Sequence, residues 1–192
     1  CKKLFKALVC AGLVASVAIM AGCGGSGDKK AATAKTGKVF RVGMECAYAP
    51  YNWSQAKADG GAVPIKGTNE FAYGYDIMMA KKLADSMGAT LEVNKIEWDG
   101  LAPAVMSGKI DAAIAGMSIT AKRKQSVDFT KPYFYATVIA LVRADSPQAK
   151  AQSVADLKGS SATSQLNTIW YDQIDQIPNA KKLPAIDNVP GM

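Results

Sequence analysis

The sequence predicts an α/β fold whose main body is a largely parallel sheet with helices packed on it. Three observations carry that prediction. Strand-like apolar runs alternate with helix-period runs from residue 38 to residue 129. Glycine and proline mark the changeovers. The chain is 49% apolar and 20% charged over 192 residues, which is ordinary globular composition and enough length for one domain or two small ones.

In chain order, Lys38–Met44 (KVFRVGM) reads as a strand, and residues 46–69, with Pro50, Gly60, Gly61, Pro64 and Gly67, read as loop. Residues 75–87 read as a helix, with Ile77, Ala80, Ala84 and Met87 on one face and Asp76 in the first turn, where it favours the dipole. Gly88 is placed to end it. Met78, Met79 and Met87 are expected as core filling. Residues 90–96 alternate as a second strand, and residues 99–107 form a short helix that tolerates Pro103 in its first turn. Ile110–Ala115 reads as a third strand with Asp111 near its start. Thr120 is expected to cap a helix over 121–126, and Val127–Phe129 to begin a fourth extended piece. Beyond Pro132, Thr137–Val142 (TVIALV) reads as an apolar strand. A short helix at 154–158 ending at Gly159, a strand at 161–165 and a helix at 168–176 follow. This second unit has too few elements to close a core alone.

The N-terminus reads as an address. Lys2, Lys3 and Lys6 precede an uncharged run over residues 7–22, 16 residues long and short for a spanning helix of about 20 residues. It ends in Met20-Ala21-Gly22-Cys23. This pattern resembles a bacterial lipobox, so residues 1–22 are expected to be a lipoprotein signal peptide and Cys23 the lipidated residue. Residues 23–37 then form a Gly/Ser/Ala/Lys tether. The mature chain would keep only Cys46, which leaves no internal disulfide.

Charge and composition exclude several classes. The formal charge is +7, but without Lys2, Lys3 and Lys6 it falls to about +4, and the longest basic run is Lys122-Arg123-Lys124. That is no footprint for nucleic acid. Histidine is absent, which removes the commonest general base and metal ligand. No metal, cofactor or catalytic constellation is expected.

In a parallel sheet, ligands gather at the carboxyl ends of strands, here the loops 45–53, 97–99 and 116–123. In Gly116-Met117-Ser118-Ile119-Thr120-Ala121-Lys122-Arg123, Arg123 offers a bidentate fork for a carboxylate. The Ser118 hydroxyl and Gly116 carbonyl offer acceptors for an ammonium, and the helix start after Thr120 offers N–H groups. These are the two charged groups of a free amino acid.

That segment stands with VGMECAYAPYNW at 42–53, GYDIMMAKKLADSMG at 74–88 and WDGLAPAVMSGKIDAAIAGMSITAKRKQSVDFTKPYFY at 98–135. In this order and spacing the chain resembles the family-3 bacterial extracellular solute-binding proteins, the polar amino acid receptors of ABC importers, over residues 38 to about 190. The resemblance implies a two-lobed, type II periplasmic-binding-protein-like fold, with lobe 1 at 38–136, an incomplete lobe 2 at 137–192, and hinges near 130–137. Family members continue past this length, so the second lobe and the return strands are expected to be truncated here.

The resemblance also implies roles. Arg123 holds the α-carboxylate, and Gly116 and Ser118 take the ammonium. Tyr48 covers the ligand side chain and Glu45 meets its polar end; Trp98, from its place in the loop after the second strand, is read as either a pocket wall or a structural residue. Thr168, in SQLNT at 164–168, adds a second carboxylate contact, with Leu166 standing where the family has glycine. The implied function is capture of a polar or cationic amino acid (glutamine, arginine, lysine or cystine among the options) without chemistry. The expected partners are ABC permease subunits and, through the lipid anchor, the membrane, and the expected state is a monomer on the extracytoplasmic face. A dehydratase-like enzyme or a ligand-sensing module of the same fold are the alternatives.

Overall fold

A computed structural model describes residues 37–192. The expected signal peptide, Cys23 and the tether up to residue 36 lie outside the described residues. The first strand, β1 (Val39–Met44), is followed by three short strands, β2 (Ala47–Tyr48), β3 (Asn52–Gln55) and β4 (Val63–Pro64), and then β5 (Phe71–Tyr73). Helix α1 (Tyr75–Ser86), strand β6 (Thr90–Lys95), helix α2 (Leu101–Met106) and strand β7 (Ala112–Ala113) complete the first stretch.

The central sheet has the order β6-β1-β7, all parallel, with Met44 opposite Lys95 and Gly43 opposite Ala113. Parallel neighbours need crossovers, and α1 and α2 supply them. The strands β2-β3-β5-β4 form a second, antiparallel sheet, in which Trp53 faces Tyr73 with ring centroids 5.2 Å apart. Residues 46–69 are therefore not simply loop. Their strands are two to four residues long, too short to show alternation, and the turns between them dominate the composition.

Helix α1 buries Ile77, Ala80 and Ala84 as its spacing predicts, and Gly88 follows with φ +62°. The expectation that the methionines fill the core fails here. Met87 is the C-cap residue, past the last full turn, and is exposed; Met78 is exposed on the outer face. Asp76 lies in the first turn as expected, and is fully buried there. The core beneath α1 joins Val42, Met44, Val93, Leu101, Ile114 and Ile65, the last reached by a parallel bridge from Ile65 to Val93 that ties the two sheets together. Strand β7 is shorter than predicted. At its edge Asp111 turns outward and binds the Arg41 guanidinium (Oδ1 to Nη2, 2.6 Å) and the Arg41 N–H (2.7 Å).

After Gly116 the predicted helix over 121–126 is a single 3-10 turn, Arg123–Gln125. No strand forms at 127–129 or at 137–142. Ile139 is 79% and Leu141 95% exposed. The apolar pattern of 137–142 is that of a strand, but a strand exists only where another pairs with it, and none among the described residues does. The rest of the chain adds strand β8 (Ser161–Ala162), helix α3 (Ile169–Gln173) and strand β9 (Lys181–Lys182), with β8 parallel to β9 and Gln165 bridged to Ile186. Leu157 and Ile174 are the buried apolar side chains of this part. No helix among the described residues is long and apolar enough to cross a membrane.

Candidate functional site

Parallel register puts the ends of β1, β6 and β7 on one edge of the central sheet, so Glu45, Trp98 and Gly116 emerge together. The turn at 165–170 lies against this edge. Gln165 Nε2 donates to Glu45 Oε1 (2.8 Å) and to the Asp187 carbonyl (3.1 Å). Asn167 Nδ2 donates to Asp99 Oδ1 (2.9 Å), and the Asn167 carbonyl accepts from Trp98 Nε1 (3.3 Å).

Arg123 sits at the centre of this junction. Its Nη1 donates to the Ser118 carbonyl (2.7 Å) and its Nη2 to the Asn167 carbonyl (2.9 Å), while the guanidinium lies 5.3 Å from the centre of the Trp98 ring. It is partly buried, and desolvation lowers its pKa, against a smaller raising effect from Asp172. The ion pairs among the described residues do not include Arg123. A desolvated guanidinium with only neutral carbonyl partners favours an anion with two acceptor atoms.

Glu45 is 5% exposed, and burial pushes its carboxyl pKa up; the Gln165 bond opposes this, and Glu97 and Asp99 add to it. A neutral amide is its hydrogen-bond partner, so a cation placed beside it would relieve the burial. The Tyr48 ring lies tilted against Tyr51 (4.8 Å between centroids) and Trp170 (5.6 Å) and covers Gly116, where an added Cβ would lie 3.2 Å from Tyr48 Cε1. Burial raises the Tyr48 phenol to about 12, so it stays neutral. Cys46, buried and with its thiol pushed up to about 12, is inert.

Most predicted residues thus meet around one junction, with three differences of detail. Ser118 receives Arg123 through its carbonyl. The turn after Thr120 offers few free donors, because the Arg123 and Lys124 N–H groups bond Thr120 Oγ1 (3.1 Å) and the Thr120 carbonyl (3.0 Å). The buried Thr168 hydroxyl donates to the Gln165 carbonyl (2.6 Å) and accepts the Tyr171 N–H as the cap of α3. Leu166 stands where a glycine was expected and is not itself left-handed; the left-handed residue of this turn is Asn167 (φ +55°). Sequence reasoning missed Gln165, Asn167 and Trp170 as partners of the sheet edge, along with Asn52, Asp76 and Tyr133 behind it. The one local signal was an asparagine in a turn. Among the described residues no group of acids and cysteines is placed to hold a metal ion.

Residues 40–187 match the family model for bacterial extracellular solute-binding proteins, family 3. A probable histidine-binding protein of Neisseria gonorrhoeae is 34% identical over 152 residues, 79% of this chain and 51% of that protein. Among solved structures, the ancestral amino acid-binding protein AncCDT-1, a precursor of cyclohexadienyl dehydratase, superposes with a TM-score of 0.64 at 33% identity, covering 78% of this chain and 61% of the other. The arginine-bound form of a truncated ArgBP from T. maritima gives 0.62 at 27% identity, covering 78% and 64%. The chain spans about half the length of the curated relatives it matches.

Proposed function

The chain belongs to the bacterial extracellular solute-binding proteins, family 3, and from that premise we propose that it captures a free amino acid outside the cytoplasmic membrane for an ABC importer. The observation that carries this reading is Arg123, desolvated, fixed by two carbonyls and a tryptophan face, and without an acidic partner in an ion pair. It receives the α-carboxylate. Gly116 and Ser118 face the ammonium, Tyr48 and Trp98 wall the side chain, and Thr168 supports the turn that closes on it.

The ligand is cationic in this reading, arginine, histidine or lysine before glutamine or cystine. Glu45 supports it: a buried carboxylate at the sheet edge gains most from a positive side chain. The related proteins named for histidine and arginine agree with that charge. Action is by capture, not by chemistry. Residues 38–136 belong to one lobe and 137–192 to a second; the two close by hinging near 130–137, with Cys23 as the lipid anchor.

Thermal unfolding against the twenty amino acids and cystine tests the reading. A ligand at about 100 times its Kd raises stability by ~2.7 kcal/mol. The Arg123→Ala chain should lose that response to every amino acid. An undiminished response would remove the carboxylate role.

A further inference from the structure

A polar chain, buried at Cys46, Asn52 and Asp76, half-buried at Tyr133 and exposed at Gly116, runs behind the site and joins its two main loops. The Cys46 N–H donates to Asn52 Oδ1 (2.9 Å), and Asn52 Nδ2 donates to Asp76 Oδ2 (2.7 Å). The Tyr133 hydroxyl donates to Asp76 Oδ1 (2.7 Å) and accepts the Gly116 N–H (3.1 Å). Every direction in this chain is fixed by chemistry. A backbone N–H only donates and a carboxylate only accepts, so the Asn52 amide and the Tyr133 phenol each have one possible orientation. Asp76 is fully buried and Asn52 is 1% exposed.

The two ends of the chain are special positions. Cys46 (φ +55°) and Gly116 (φ +63°) both adopt the left-handed conformation, and both begin the turns that carry the site. Cys46 follows Glu45 and precedes Tyr48. Gly116 lies under the Tyr48 ring and precedes Ser118. For Cys46 that conformation is strained and needs support from its surroundings, whereas Gly116 adopts it freely and is left mobile unless something fixes it. Each donates its N–H to a side chain bonded to Asp76, Cys46 to Asn52 and Gly116 to Tyr133, and the Cys46 carbonyl also accepts the Ser54 N–H (2.9 Å). Tyr133 is held from its other end too, since the Tyr75 hydroxyl donates to the Tyr133 carbonyl (3.1 Å).

We infer that Tyr133 is a positioning residue for amino-acid capture: its hydroxyl holds the Gly116 N–H, and so places the residue whose carbonyl is offered to the ligand ammonium, by tying it to the buried Asp76–Asn52 pair. This rests on the amino-acid-binding reading above. Tyr133 touches no ligand group in this account and acts through Gly116. It also lies in the segment leaving the central sheet, so movement of that segment and the shape of the site are linked through one phenol.

The test uses the full chain and two matched phenol deletions. Tyr133→Phe removes the bond to Gly116; Tyr75→Phe removes a comparable bond from the same segment and leaves Gly116 alone. Titration calorimetry with L-arginine and L-histidine should show affinity falling about tenfold or more in Tyr133→Phe. It should stay within about twofold of the parent in Tyr75→Phe. The Gly116 amide proton should shift upfield in Tyr133→Phe only. Equal affinity losses in both variants, or none in Tyr133→Phe, would overturn the inference while leaving the capture reading intact. A parent chain that binds none of the twenty amino acids would overturn that reading and the inference with it. Should Tyr133→Phe not fold, hydrogen exchange on the parent decides. Protected Cys46 and Gly116 amides, slower still with ligand, support the tie, and a Gly116 amide exchanging at the open-chain rate refutes it.

Discussion

Single residues divide here by what burial does to their charge. Asp111, on the exposed edge of the central sheet, is held below the usual carboxylate range, first by its side-chain bond to Arg41. Its folded pKa is depressed, so its contribution to stability is present above the unfolded value and disappears as pH falls through the folded one. Thermal melts of Asp111→Asn should therefore lie below the parent at neutral pH and converge with it in acid; a constant gap would mean the charge is irrelevant. Asp76 and Glu45 behave oppositely. Desolvation raises both, so their ionisation costs stability as pH climbs through their folded values, a cost the hydrogen bonds from Tyr133, Asn52 and Gln165 only partly offset. For Glu45 the remainder is available to a cationic ligand. Glu45→Gln should weaken arginine binding by roughly 10- to 100-fold, about 1.4–2.8 kcal/mol, while raising chain stability at neutral pH. Calorimetry against arginine and against glutamine separates the two effects, because the neutral ligand should lose far less. Arg123 and Glu45 could be singled out in the sequence because each is a charged residue in a loop that follows a strand's carboxyl end, Glu45 directly after β1 and Arg123 ten residues after β7. Asp76 was legible only as a helix-start acid, because nothing local reveals that Asn52 and Tyr133, 24 and 57 positions away, converge on it.

Among the elements, α1 shows how a helix start can be satisfied without a side-chain cap. Its N-cap is Gly74, and the first N–H groups, of Tyr75 and Asp76, donate to the carbonyls of Pro50 (3.2 Å) and Tyr51 (2.8 Å). The helix thereby grips the loop that carries Tyr48. Gly74 sits at φ +125°, and a Cβ there would run into the Tyr51 carbonyl. Gly74→Ala should cost at least ~1–3 kcal/mol in urea unfolding through backbone strain alone, and should weaken ligand binding because the loop must shift. An unchanged midpoint would contradict the close approach. The long periodic elements, β1, α1 and β6, were readable because twelve or six residues repeat one pattern against one core. The antiparallel sheet from Ala47 to Tyr73 was not. Its strands are held by register and by the Trp53–Tyr73 pair across them, which are relations between segments that no local window contains.

For the whole molecule, the same limit appears in reverse at residues 137–142. Thr137–Val142 carries every local mark of a strand, yet it pairs with nothing among the described residues and leaves Val138, Ile139 and Leu141 exposed. Unpaired backbone beside bare apolar side chains is a template for another chain. Ile139 and Leu141, two residues apart, are the most exposed of these and alternate with Ala140, so they share a face in an extended segment. The double substitution Ile139→Lys with Leu141→Lys removes apolar surface and adds two like charges where a second copy would have to stack. If the parent self-associates through this stretch, against the monomer expected from the sequence, sedimentation velocity should show the double variant shifted toward monomer. The substitution lies away from the contacts made by Arg123, Glu45 and the 165–170 turn, so arginine affinity should stay within about twofold of the parent. If association persists unchanged, the exposed stretch is not what drives it, and attention moves to the bare methionines Met78 and Met106 on the two outer helices.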